Sequence, residues 1–153
     1  MAKHTRGIDL LKAKTTKALK AEVTKSKSLE EELQKRVVQY VNDMKVAGLE
    51  FWHTPNGGKR GIRTAVKLKA AGTLAGVSDL IFSLPDGRMI FLELKSPVYK
   101  KPYKELSPSQ VHFLEAMERR GHETNCMNNF DLIIKWLESR SVVRPNVSLR
   151  VAA

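Results

Sequence analysis

Residues 76–96, GVSDLIFSLPDGRMIFLELKS, constrain the fold more than any other stretch of the chain. Two apolar runs, LIFSL and MIFLEL, flank a PDG turn, the pattern of a buried β-hairpin. Proline cannot take the positive φ that a two-residue type I′ turn requires. The turn instead fits a three-residue loop, with Pro85 and Asp86 in a type I turn and Gly87 in the left-handed region as a G1 bulge. That loop predicts a register. Leu84 opposes Arg88, Phe82 opposes Ile90, Leu80 opposes Leu92 and Asp79 opposes Glu93. Lys95, two residues on, shares the face of Glu93. Like charges directly opposed on a sheet repel, and burying them is expensive. A cation joining the two carboxylates removes both costs.

The flanking segments read as an alternating α/β chain. Ser28 and Glu31 form an S-x-x-E capping box, so a helix is expected to start there. Leu33, Val37, Tyr40, Val41 and Met44 follow at helical spacing, and Gly48 ends the run. LEFWHT reads as a short strand, PNGGKR as a loop and TAVKLKAAG as a basic helix. SPVYKKPYKEL, a flexible stretch, leads to Ser107-Pro108, an N-cap with a first-turn proline, and that helix runs to Arg120 before Gly121. HETNCM is a last strand, and Asn129 to Glu138 a last helix with Phe130, Ile133, Ile134 and Leu137 on one side. The order predicts an α/β fold: a mixed β-sheet flanked by helices. Residues 28–139 are expected to form the domain, 1–27 a basic N-terminal arm and 140–153 a C-terminal tail.

Two helices bring polar groups to apolar faces. At about 100° per residue, Glu30 falls on the stripe of Leu33, Val37, Val41 and Met44, whereas Glu31 and Glu32 point elsewhere. Gln110 falls on the stripe of Phe113, Leu114 and Met117. Either residue alone reads equally well as the half-solvated end of a core stripe. An Asp followed by Glu-x-Lys on the partner strand suits metal-assisted phosphodiester hydrolysis. Asp79 and Glu93 offer hard oxygens to Mg²⁺ or Mn²⁺, the Leu94 carbonyl can add a third, and Lys95 can orient water or offset phosphoryl charge. The D…E-x-K pattern is common enough that surface ion pairing is an equal reading of these residues taken by themselves.

PNGGKRGIRTAVKLKAAGTLAGVSDLIF, then ELK, then LSPSQVHFLEAMERRGHETNCM, resembles the VRR-NUC domain of the PD-(D/E)XK nuclease superfamily, especially its small stand-alone members from bacteriophages and bacteria. The resemblance covers about Ser28 to Glu138. It implies an αβββαβ restriction-endonuclease-like core and a Mg²⁺- or Mn²⁺-dependent nuclease. Asp79 matches the superfamily aspartate, Glu93 and Lys95 the E-x-K pair, Gln110 the glutamine after the sheet and Glu30 the first-helix glutamate. Ser78 stands where the superfamily name has proline. The resemblance further implies branched DNA as substrate, four-way junctions above all. Two matched cuts there suit a two-fold homodimer.

Charge agrees with a polyanionic partner: 27 Lys and Arg against 16 Asp and Glu give +11 over 153 residues. The arm alone carries eight positive and two negative residues. In the PNGGKR loop, Asn56, Gly57 and Gly58 allow close approach of main-chain amides to a phosphate, and Lys59 and Arg60 add charge; Lys67 follows on the next helix. Tyr99, Lys100, Lys101, Tyr103 and Lys104 interleave aromatics with charge, as single-strand binders do. No 18-residue apolar window exists, and residues 1–14 lack the apolar core of a signal peptide. With Cys126 as the single cysteine, the expected compartment is cytoplasmic, in a bacterium or phage-infected host cell. Four scattered histidines give no zinc spacing. A non-catalytic nucleic-acid-binding protein on a nuclease fold is the alternative function.

Overall fold

A computed structural model describes residues 3–55 and 62–145. The elements in chain order are α1 (Lys3–Met44), β1 (Glu50–His53), α2 (Ile62–Ala70), β2 (Leu80–Ser83), β3 (Met89–Leu94), a 3-10 turn (Pro102–Glu105), α3 (Pro108–Glu118), β4 (Glu123–Met127) and α4 (Phe130–Ser139). The strands form one mixed sheet in the order β1-β2-β3-β4. β1 pairs with β2 and β2 with β3 antiparallel, whereas β4 joins β3 in parallel. The αβββαβ core is present, with α2 inserted between its first two strands.

The hairpin has the predicted register. Leu80 pairs with Leu92, Ile81 with Phe91 and Phe82 with Ile90. Leu84 N–H donates to the Arg88 carbonyl, and Gly87, at φ 86°, closes the loop through its N–H to the Leu84 carbonyl.

Alternation along the strands builds two cores. Leu80, Phe82, Leu84, Ile90, Leu92 and Leu94 face α1 and α4, where Leu33, Val37, Val41, Ile133, Ile134 and Leu137 bury against them. At about 1.5–3 kcal/mol per buried aliphatic side chain, this layer holds α1 to the sheet. Ile81 and Phe91 face the other way, onto Phe113 and Leu114 of α3.

One expectation is corrected, and two segments gain detail. No helix starts at Ser28: α1 runs uninterrupted from Lys3, so the arm and the first core helix share one element. The S-x-x-E pattern there sits mid-helix, in a segment with no proline and no glycine between Gly7 and Gly48 to break it. The stretch after Ser96 holds the 3-10 turn, and Asn128 Nδ2 donates to the carbonyls of Ser96 (3.1 Å) and Tyr99 (2.6 Å). The chain beyond α4 does not leave the core at once. Val142 and Val143 are buried, and Val143 bridges to Lys45.

Candidate active site

The two cores end where the strands do, and a polar cluster fills that end. The β1–β2 ladder extends one step past the strands, because Thr54 N–H donates to the Asp79 carbonyl at 2.9 Å. Asp79 therefore keeps the face of Ile81, and Glu93 that of Phe91, both toward α3. Each of the two carboxyl groups lies within the other's field. Leu94 N–H donates to Asp79 Oδ2 at 2.9 Å and fixes that carboxylate across the hairpin. In a strand, the N–H and C=O of one residue leave by the same edge, so the Leu94 carbonyl also lies on the Asp79 side.

Lys95 is buried, and its Nζ donates to Glu93 Oε1 at 2.8 Å and to Gln110 Oε1 at 3.2 Å. Gln110 Nε2 donates to the same Glu93 oxygen. Gln110 thus holds both members of the E-x-K pair. It also closes a capping box on its own helix: the Ser107 hydroxyl accepts from Gln110 N–H, and Ser107 N–H donates to Gln110 Oε1 at 2.9 Å. The S-x-x-Q spacing of Ser107 and Gln110 is the sequence signal of this capping box.

Glu30 arrives from the opposite face of the sheet, on α1. It lies within the fields of Lys95 and Asp79. The structure therefore brings Glu30, Asp79, Glu93, Lys95 and Gln110 into one cluster, whereas Glu31 and Glu32 are exposed. His53 also borders it, with Nδ1 2.9 Å from the Asp79 carbonyl, so that nitrogen carries the proton. Lys67 is exposed on α2. Asn56, Gly57, Gly58, Lys59 and Arg60 lie outside the described residues.

Charge is concentrated here. Burial and the neighbouring Asp79 push Glu93 up to about 7. Burial also raises Asp79 and Glu30 from their ordinary values. For Lys95, burial works against the ammonium, but the Glu93 hydrogen bond and the charges of Glu93, Glu30 and Asp79 outweigh it and raise the pKa. Cys126, the cross-strand partner of Glu93, is pushed by burial up to about 12 and stays a thiol.

A divalent cation suits this donor set. Asp79 Oδ2 and Glu93 Oε1 are committed to protein donors, and each carboxylate keeps one further oxygen. Among the described residues no three His, Cys, Asp or Glu side chains are grouped to hold an ion unaided. Asp79 and Glu93 could serve a hard divalent cation such as Mg²⁺ or Mn²⁺, which takes one or two carboxylates and completes its shell with water and phosphate.

A cleft of about 280 Å³ opens beside the cluster, lined by Lys27, Glu30, Gln34, Lys35, His53 and Asp79 among others. A larger groove, about 730 Å³, runs along α1 from Thr16 to Glu31. It is open helix surface without paired carboxylates.

No family model and no curated protein matches the sequence. Solved structures do match the fold. A structure titled "VRR_NUC domain protein" aligns with a TM-score of 0.56 at 23% identity, over 72% of this chain and 85% of that one. A second, titled "VRR_NUC domain", aligns at 0.48 and 22% identity over 72% of this chain and 95% of its own. The chain has the fold of a VRR-NUC domain. Among the described residues no helix is long and apolar enough to cross a membrane.

Proposed function

We propose that this chain is a divalent-metal-dependent endonuclease that hydrolyses phosphodiester bonds in DNA. The observation that carries the reading is the pairing of half-buried Asp79 with buried Glu93 at the strand ends, with Lys95 and Gln110 bound to Glu93. A purely structural ion pair needs one carboxylate for one ammonium. Here three carboxylates surround one lysine.

Asp79, Glu93 and the Leu94 carbonyl would hold Mg²⁺ or Mn²⁺, which supplies Lewis acidity toward a phosphoryl oxygen and a more acidic bound water. Gln110 and Lys95 orient Glu93, each by a hydrogen bond to Oε1. Lys95 keeps a full positive charge next to the cleft, where it offsets negative charge developing on the phosphoryl group. Glu30 closes the cleft from α1 and helps hold Lys95 charged.

Branched DNA, with four-way junctions first, and a two-fold homodimer that makes paired cuts complete the proposal. Both rest on the sequence resemblance and on the need for two matched incisions. The test is cleavage of labelled four-way junction, flap, duplex and single-stranded DNA with Mg²⁺, Mn²⁺ or EDTA, beside Asp79→Ala and Lys95→Ala. Metal-dependent cleavage lost in both variants is expected, with symmetric cuts on the junction. Cleavage in EDTA, or in both variants, overturns the mechanism. Tight binding without cleavage of any substrate favours a non-catalytic nucleic-acid-binding protein.

A further inference from the structure

Trp52 lies on β1, at the edge of the sheet, and 45% of it is exposed. It is the bulkiest of the exposed apolar side chains. Its cross-strand partner is Ile81, and Ile81 shares a face with Asp79, so the indole stands on the same face as the carboxylate pair. It is one strand over from Asp79, about 4.8 Å, and two residues along, about 6.7 Å. That is the reach from a phosphodiester to a base of an adjoining nucleotide.

Burying indole surface is favourable, and leaving it in water beside a polar cluster brings the fold nothing. The sequence that follows β1 indicates what covers it. From Thr54 to Ser78, the 25 residues joining β1 to the Asp79 strand, there are five basic residues (Lys59, Arg60, Arg63, Lys67, Lys69) and no acidic one. A second copy of this chain would carry the same net positive charge, +11. A phosphate backbone is complementary to it, and an aromatic face beside a basic stretch is how sequence-tolerant single-strand sites are built.

We propose that Trp52 is a stacking platform for an unpaired nucleobase next to the phosphate held at the carboxylate cluster, and so selects DNA with single-stranded character at the cut. The assignment rests on the nuclease reading for its phosphate, but the stack itself needs no cleavage. Trp136, half-buried with the Arg140 guanidinium 4.9 Å from its ring centroid, is the second tryptophan. It can be removed to leave Trp52 as the sole fluorophore.

The test is titration of the full chain carrying Trp136→Phe with oligothymidine and with blunt duplex, in EDTA, followed by tryptophan fluorescence. Oligothymidine is expected to quench emission strongly and duplex to quench little. In the otherwise natural chain, Trp52→Ala should weaken oligothymidine binding on the order of tenfold while duplex binding holds, and Trp52→Phe should retain most of the affinity. Quenching that persists when no substrate is cleaved in Mg²⁺ leaves the platform standing and the nuclease reading fallen. Metal-dependent cleavage with no quenching overturns the platform alone. Equal losses on both DNAs, or a change in sedimentation of Trp52→Ala without DNA, overturns it in favour of a general contact or a subunit interface.

Discussion

Gln110 and Lys95 are joined by a hydrogen bond of 3.2 Å, and the Gln110 oxygen that makes it also receives the Ser107 main-chain N–H at 2.9 Å. The start of α3 and the orientation of the lysine therefore depend on one carboxamide.

Replacing that carboxamide separates the two roles. Gln110→Ala should lose about 1–2 kcal/mol in urea denaturation, for the cap and the freed buried donors, and most of the cleavage rate. Ser107→Ala removes the hydroxyl cap but leaves Gln110 in place. It should lose about 1 kcal/mol with a much smaller effect on rate. Equal rate losses in the two variants would show that Gln110 acts only as a cap.

The pH dependence of stability has a definite sign. Glu93 titrates near 7 when folded and near its ordinary value when unfolded, so the folded chain binds more protons between them. The stability this contributes is complete below about 4.5 and is lost as pH rises through about 7. Asp79 and Glu30 are shifted in the same direction. Wild-type protein in EDTA should lose stability across that window, and Glu93→Gln should flatten the loss. Mg²⁺ or Mn²⁺ must displace the proton, so the melting-temperature gain on adding either ion should be small at pH 5.5 and larger at pH 8. A gain independent of pH would place the ion elsewhere.

Lys95→Met leaves Glu93 buried without its ammonium. At pH 6 the carboxyl can keep its proton, whereas at pH 8 a buried charge must stand alone or hold a proton against the solvent. The penalty relative to wild type should be larger at pH 8 than at pH 6 by about 1 kcal/mol, measured by urea denaturation. Cleavage should fall at least ~100-fold at both pH values.

Gly76 and Gly87 have nearly the same φ, +82° and +86°, yet should respond differently to alanine. A Cβ at Gly76 would sit 2.2 Å from the Ser109 carbonyl oxygen, whereas at Gly87 it meets nothing within 4 Å. Gly87→Ala should cost about 1–2 kcal/mol, the left-handed penalty alone, and leave cleavage unchanged. Gly76→Ala must also move the first turn of α3, which carries Gln110, so both stability and cleavage should suffer. Thermal melts with cleavage rates on both variants decide the matter.

The hairpin and its register were legible because a three-residue turn and strict alternation leave one solution. So was the placement of Glu30 and Gln110, since helical periodicity gives a face whatever the packing. The start of α1 was not: Ser28 and Glu31 have capping chemistry, but a cap forms only where the backbone leaves the helix, and nothing before Ser28 makes it do so. Three further features follow from tertiary pairing and have no local sequence signal. They are the parallel docking of β4, which sets Cys126 beside Glu93, the His53 hydrogen bond to Asp79 and the return of Val142 and Val143 to the core.

The elements that meet at the cluster differ in how much chain must be closed to bring them together. Asp79 and Glu93 are 14 residues apart, and Gln110 follows within another 17, whereas Glu30 joins Asp79 across 49. Loop-closure entropy grows with the logarithm of the interval, so seating Glu30 costs about 1 kcal/mol more than closing the hairpin. Asp79, Glu93, Lys95 and Gln110 thus form a locally assembled unit, and the α1 carboxylate is the one whose docking is entropically dearest.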